Sequence, residues 1–222
     1  MPGIERRHLL GGLIALPFAA GTLFAGTEDQ PNVSPSGRKF APALAGPEVM
    51  RKRFFPNVPL VTHEGKNVMF YEDLLKGKIV VLNLMYADCL SLCPMITSNL
   101  LAAQKIVAER VKQDVWFYSF TIKPEHDTPE KLADYAKMHN VHKNWLFMTG
   151  KPADLEMLRI KLGYKDPDPV KDKDKALHSG MVRYGNEPLA QWSTVQGSAN
   201  PEWIAEQITY VIPEAARTRI IS

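Results

Sequence analysis

Lys76–Pro94 reads KGKIVVLNLMYADCLSLCP, and it predicts a buried strand running into a helix. Its centre, Ile79–Tyr86 (IVVLNLMY), is a nearly continuous apolar run. Such a run predicts a strand buried on both faces of a parallel sheet, because a half-exposed strand would alternate apolar with polar residues. Beyond Cys93-Pro94, the residues Ile96, Leu100, Ala103, Val107 and Val111 recur at helical spacing. Pro94 suits the first turn of that helix, where its missing N–H costs nothing.

N-terminal to that stretch, Val58–Val61 and Val68–Tyr71 flank Glu64-Gly65-Lys66 and predict a small entry hairpin leading into the sheet. Val115–Ile122 is the next strand, and Thr128-Pro129-Glu130 opens a helix to about His139 with Thr128 as cap. Trp145–Met148 reads as a short strand and Pro152–Leu162 as a helix ended by Gly163. Tyr164–Lys175 is a charged, proline-bearing loop. Met181–Tyr184 and Leu189–Trp192 predict a hairpin turning at Gly185-Asn186, and Pro201–Val211 is the closing helix. Alternating strands and helices followed by a hairpin imply an α/β fold, a thioredoxin-like central mixed sheet flanked by helices.

The folded domain is expected from about residue 48 onward, within a domain assignment of 48–222. Residues 27–47 hold Pro31, Pro35, Pro42, Pro47, Gly37 and Gly46 and read as a linker. Residues 1–26 read as an export signal: Arg6-Arg7 precede a mild apolar run to Ala25, as on the twin-arginine route. The run is diluted by glycines and Pro17, and it is either cleaved or retained as an anchor. Export places the chain in the periplasm or on the outer face of the inner membrane. No later segment approaches the roughly 20 apolar residues of a membrane span. The formal charge of +3 over 222 residues gives no footprint for nucleic acid.

Cys89 and Cys93 are the only cysteines in the sequence. A disulfide framework would scatter an even number along the chain, and a closed zinc site wants about four Cys or His ligands. A redox pair, a low-coordinate metal site and two buried structural thiols remain. Both cysteines sit where a buried strand gives way to a helix, whose unpaired N–H groups and dipole favour thiolate. Residues four apart lie on one helical face, so their sulfurs can share one ion or approach bonding distance. Cu(I) is soft, prefers thiolate and accepts few ligands.

Other candidates read as structural. His63, His126, His139 and His142 lack accompanying cysteines or a close carboxylate pair and read as solvated surface histidines. His126 and Asp127 are expected to shape the helix start at Thr128. Met85 and Met95 flank the cysteines and read as core, although a thioether also suits copper. Asp88 would disfavour a Cys89 thiolate if it pointed inward. The charge run Lys171–Lys175 reads as a solvated loop.

Lys76–Pro94 resembles the Sco/SenC family, thioredoxin-fold proteins of copper delivery to respiratory oxidases. Tyr118–Pro129 (YSFTIKPEHDTP), Trp145–Gly150 (WLFMTG) and Leu177–Gly180 (LHSG) match the family in order, so that the resemblance covers nearly all of residues 58–212. It implies that Cys89, Cys93 and His178 match the copper ligands. By its position alone His178 is a loop residue just before a strand, a place usually held by a surface group. The chain departs from the family where Leu90, Ser91 and Leu92 replace the usual proline and acid, and where Leu177 replaces the usual Asp. These changes bear on partner recognition and copper affinity more than on fold.

The resemblance thus implies a Cu(I) metallochaperone that serves a respiratory cuproprotein, such as the binuclear copper centre of cytochrome c oxidase. The alternative is a thiol–disulfide oxidoreductase that reduces partner cysteines through the Cys89–Cys93 dithiol without copper, supplied by a thiol reductant partner. A copper sensor or assembly scaffold is a third, non-catalytic reading.

Overall fold

The strand Ile79–Met85 is buried at every residue, and the chain organises itself around it. The computed structural model describes residues 46–90, 92–141, 143–173 and 180–218, which belong to the unit spanning Leu44–Ser222. The export signal, most of the linker, Ser91, His142, Leu177 and His178 lie outside the described residues.

In chain order the elements are α1 (Gly46–Phe54), β1 (Pro59–Thr62), β2 (Asn67–Met69), a π-type helical turn (Phe70–Leu75), β3 (Ile79–Met85), α2 (Leu92–Arg110) and β4 (Val115–Thr121). They continue with α3 (Pro129–Met138), β5 (Trp145–Thr149), α4 (Pro152–Lys161), α5 (Pro169–Lys173), β6 (Met181–Asn186), β7 (Gln191–Gln196) and α6 (Pro201–Tyr210). The strands form one mixed sheet in the order β2-β1-β5-β4-β3-β6-β7. β3, β4 and β5 run parallel. β1 and β6 pair antiparallel with β5 and β3 respectively.

Two cores lie on the two faces. Ile79, Val81 and Met85 of β3 point into the first, which α2, α3 and α6 cover. Val80, Leu82 and Leu84 point into the second, which the π-type turn and α4 cover. The crossovers through α2 and α3 step the same way across the sheet, and right-handed connections then put both helices on one face. The predicted stripe on α2 is its buried face: Ile96, Leu100, Ala103, Val107 and Val111 are all core. Within the first core, Ser119 Oγ donates to Asn83 Oδ1 at 2.7 Å, and Trp145 Nε1 donates to Ser119 Oγ at 2.9 Å.

Three expectations need correction. The last hairpin does not turn at Gly185-Asn186. Both residues continue β6, and the turn falls at residues 187–190. Gly185 is glycine because the Trp192 ring lies over it, where a Cβ would collide with the indole. Asn186 is buried and donates to the Val211 carbonyl at 2.9 Å. The turn itself is tied down by Glu187, which accepts from Tyr71 Oη at 2.6 Å and from the Gly77 amide at 2.8 Å.

The expected loop at 164–175 contains α5, fastened by Arg159. That guanidinium donates to both Asp172 carboxylate oxygens at 2.6 and 2.9 Å. The same contact holds the Asp172 carboxyl down at about 2. Finally, α1 begins inside the stretch assigned as linker. Its Glu48 in the first turn and Arg51, Lys52 and Arg53 in the last suit the helix dipole, and Arg51 stacks on the Tyr71 ring at 5.4 Å.

Candidate metal centre

β3 ends at Met85 on the edge of the sheet where the parallel strands finish, and the chain then makes a tight turn. The Cys89 amide donates to the Tyr86 carbonyl at 3.2 Å. α2 starts three residues later, and the Cys93 amide donates to Cys89 Sγ at 3.4 Å. A sulfur here takes one of the N–H groups that a helix start leaves without an intrahelical partner. Cys89 precedes α2 and only Cys93 lies within it, so the two cysteines do not share one helical face as expected; they meet across the strand-to-helix turn instead.

The pair is buried, Cys89 being 4% and Cys93 2% exposed, and both are thiols in this structure. The expected thiolate-favouring effect of the helix start does not win at Cys93. Burial, the contact with Cys89 and the nearby Asp127 carboxylate push its thiol up to about 12, against a smaller opposing contribution from the Tyr86 amide. A proton leaves such a thiol when a cation replaces it, because the cation removes the uncompensated charge that burial penalises.

Polar supports surround the turn. Asp127 accepts from the Ala87 amide at 3.1 Å and from Thr121 Oγ1 at 2.5 Å. Lys131 reaches Asp88 at 2.5 Å, so that Asp88 points outward along the surface instead of at the sulfurs. Beneath the site, Thr97 and Tyr135 share a hydrogen bond at 2.9 Å. Burial, above all, raises the Tyr135 hydroxyl to about 12. At the rim Leu90 is 97% exposed.

On the far side, Gly180 is seated against Leu92 and Ile96, which flank Cys93 on α2. A Cβ on it would stand 3.0 Å from Leu92 Cδ2 and 3.2 Å from Ile96 Cδ1. His178 itself lies outside the described residues. Among the described residues no group of three His, Cys, Asp or Glu side chains converges, and none of their helices is long and apolar enough to cross a membrane.

The remaining candidates sort by burial. Met85 is core as expected, whereas Met95 is partly exposed on the surface of α2. His126 is exposed, and its amide and that of Asp127 both donate to the Lys123 carbonyl, which shapes the start of α3. Thr128 caps that helix by accepting from the Lys131 amide at 3.3 Å. His63 and His139 are not simply solvated. The Phe147 amide donates to His63 Nδ1 at 3.1 Å, and His139 lies against the Tyr135 ring at 4.4 Å.

Sequence reasoning noticed Asp127 only as part of a helix start and missed Lys131, Thr97 and Tyr135 altogether. The available signal was a short polar residue ahead of Thr128-Pro129, which marks the helix start but not its backbone partner 40 positions earlier.

Comparison with known proteins follows the same residues. The family model described as SCO1/SenC matches residues 50–212. The SCO1 protein homolog of Bacillus subtilis is 29% identical over 149 residues, covering 64% of this chain and 75% of the relative. Among solved structures, a SCO1/SenC family lipoprotein from Bacillus anthracis superposes with a TM-score of 0.60 at 24% identity, over 71% of this chain and 94% of that one. Arabidopsis thaliana ScoI, solved with copper bound, gives 0.58 at 19% identity over 72% and 98%. BsSco, described with a disulfide switch and as a member of the Sco family of cytochrome c oxidase assembly proteins, gives 0.57 at 24% identity over 69% and 90%.

Proposed function

The chain belongs to the SCO1/SenC family, and from that premise we propose that it carries one Cu(I) ion as cargo on Cys89 and Cys93, with His178 as third ligand. The observation that carries the reading is the buried dithiol whose Cys93 amide already rests on Cys89 Sγ. Two sulfurs held within one turn suit a soft, low-coordinate cation better than any hard metal. Gly180, beside Leu92 and Ile96, supports His178 as the third donor, since His178 is two residues before it in sequence, a span of no more than about 7 Å.

In this reading loading displaces both thiol protons, and transfer passes the ion to a partner by exchanging one ligand at a time. The proposed recipient is a cuproprotein of a respiratory oxidase, with the binuclear copper centre of cytochrome c oxidase as the leading candidate. Support comes from the copper-bound ScoI neighbour and from the oxidase-assembly family to which BsSco belongs. We place the protein outside the cytoplasm, in the periplasm or on the outer face of the inner membrane, with residues 1–26 as a twin-arginine export signal. The lipoprotein relative supports this placement.

A thiol–disulfide oxidoreductase is the second reading, favoured by the proximity of the two thiols and by the disulfide switch of BsSco. Burial of both sulfurs counts against it, because attack on a partner disulfide needs an accessible thiolate. The deciding experiment titrates Cu(I) against a chelator for wild type, Cys89→Ser and His178→Ala. One tightly held equivalent in wild type, weakened in both variants, is expected; equally weak binding in all three ends the proposal.

A further inference from the structure

We propose that Asp127 is a positioning residue for the cysteine pair, its buried carboxylate fixing the turn that presents Cys89 to Cys93. Asp127 is 1% exposed although it carries a carboxylate, and burial of such a group is costly unless its oxygens are occupied. Here one oxygen accepts from the Ala87 amide at 3.1 Å and from Thr121 Oγ1 at 2.5 Å. The other faces Lys131 Nζ at 3.7 Å. One side chain therefore joins the end of β4, the start of α3 and the turn between β3 and α2.

Other contacts hold the turn as well, among them the Lys123 ammonium over the Tyr86 ring at 3.7 Å. The Ile122 amide donates to the Met85 carbonyl at 2.9 Å just before it, and the Cys89 amide closes it on Tyr86. Asp88 is held by Lys131 at the surface, where the Asp88 side chain is 70% exposed and the pair is weak. The Ala87 amide therefore has Asp127 as its anchor, two residues before Cys89. The position of Cys89 Sγ in turn determines whether the Cys93 amide can rest on it. Groups that orient ligands from behind typically change metal affinity by about 10–100-fold when removed.

Only the effect on metal rests on the copper-carrier reading; the effect on the thiols does not. The test uses the full chain in Asp127→Ala, Asp127→Asn and Leu158→Ala forms. Asparagine keeps an oxygen for Ala87 and Thr121 but drops the charge, whereas Leu158 is buried on the opposite face of the sheet and controls for general destabilisation. Metal-free protein is alkylated with iodoacetamide under native conditions. Asp127→Ala is expected to react about tenfold faster than wild type, with Asp127→Asn and Leu158→Ala close to wild type.

An unchanged rate in Asp127→Ala overturns the proposal. So does an Asp127→Asn as fast as the alanine variant, or a Leu158→Ala equally fast. Should Asp127→Ala not fold, hydrogen exchange at the wild-type Ala87 amide decides: protection supports the anchor and free exchange refutes it. In parallel, Cu(I) affinity is expected to fall about tenfold or more in Asp127→Ala. If wild type itself binds no Cu(I), the carrier reading fails while the alkylation comparison still judges Asp127.

Discussion

Replacing Gly180 by alanine isolates the contact between the β6 approach and the helix that bears Cys93. Gly180 sits at φ +63°, and a Cβ there meets Leu92 Cδ2 at 3.0 Å and Ile96 Cδ1 at 3.2 Å. The left-handed backbone costs an L-residue roughly 1–2 kcal/mol. The added methyl forces the Leu92 and Ile96 side chains to give way by a few tenths of an ångström, and overpacking of this kind costs about 1 kcal/mol or more. The sum is about 2–3 kcal/mol, or roughly 4–12 °C in Tm for a unit of this size.

Gly65→Ala provides the reference. Gly65 has φ +77° and nothing within 4 Å of a Cβ, so that it reports the backbone cost alone. Thermal unfolding of both variants, followed by circular dichroism, should leave Gly180→Ala lower in Tm by the packing contribution. Because Leu92 precedes Cys93, the same variant should also alter alkylation of the cysteines, whereas Gly65→Ala should not. Equal Tm losses with unchanged thiol reactivity in both would refute the argument that Gly180 braces the first turn of α2.

Ser119→Ala removes the hydroxyl between Asn83 Oδ1 and Trp145 Nε1. It orphans two buried groups at about 1–3 kcal/mol each, so a urea midpoint lower with unchanged m value is expected, and a change below about 0.5 kcal/mol would contradict the network. Asp172 is held at about 2 by Arg159, below the usual carboxyl value near 4. Its stabilising contribution is therefore complete above about pH 4 and lost as pH falls through about 2. Between pH 5 and 2, wild type should lose stability relative to Asp172→Asn, and parallel pH profiles would count against the ion pair.

Much of the fold was legible because local pattern and final burial agree. Ile79–Met85 is apolar where the sheet is covered on both faces, and the α2 stripe is apolar where it meets the sheet. Reading failed where a distant partner overrules a local signal. Gly185-Asn186 looks like a turn, but Trp192 and Val211 hold it in the strand. Asp168-Pro169 is a local helix start, with Asp168 Oδ1 accepting from the Val170 amide at 2.9 Å. It sits in a charged, proline-bearing stretch that reads as loop, however, and the helix's long-range anchor is Arg159 on α4. The first helix was hidden by the proline and glycine at its own start.

The site divides in the same way. Spacing and position brought Cys89 and Cys93 together, because both belong to one turn of backbone. His178 entered only through family resemblance, since a loop histidine carries no local mark of a ligand. Asp127 escaped because what it holds is a backbone amide, invisible to any reading of side chains.

X-ray absorption at the copper edge of the Cu(I)-loaded protein, for wild type and His178→Ala, reads the proposed ligand set itself. Two sulfurs and one imidazole nitrogen are expected around the metal in wild type, with the nitrogen lost in the variant. A spectrum without two sulfur scatterers, or one identical in both proteins, would contradict the account.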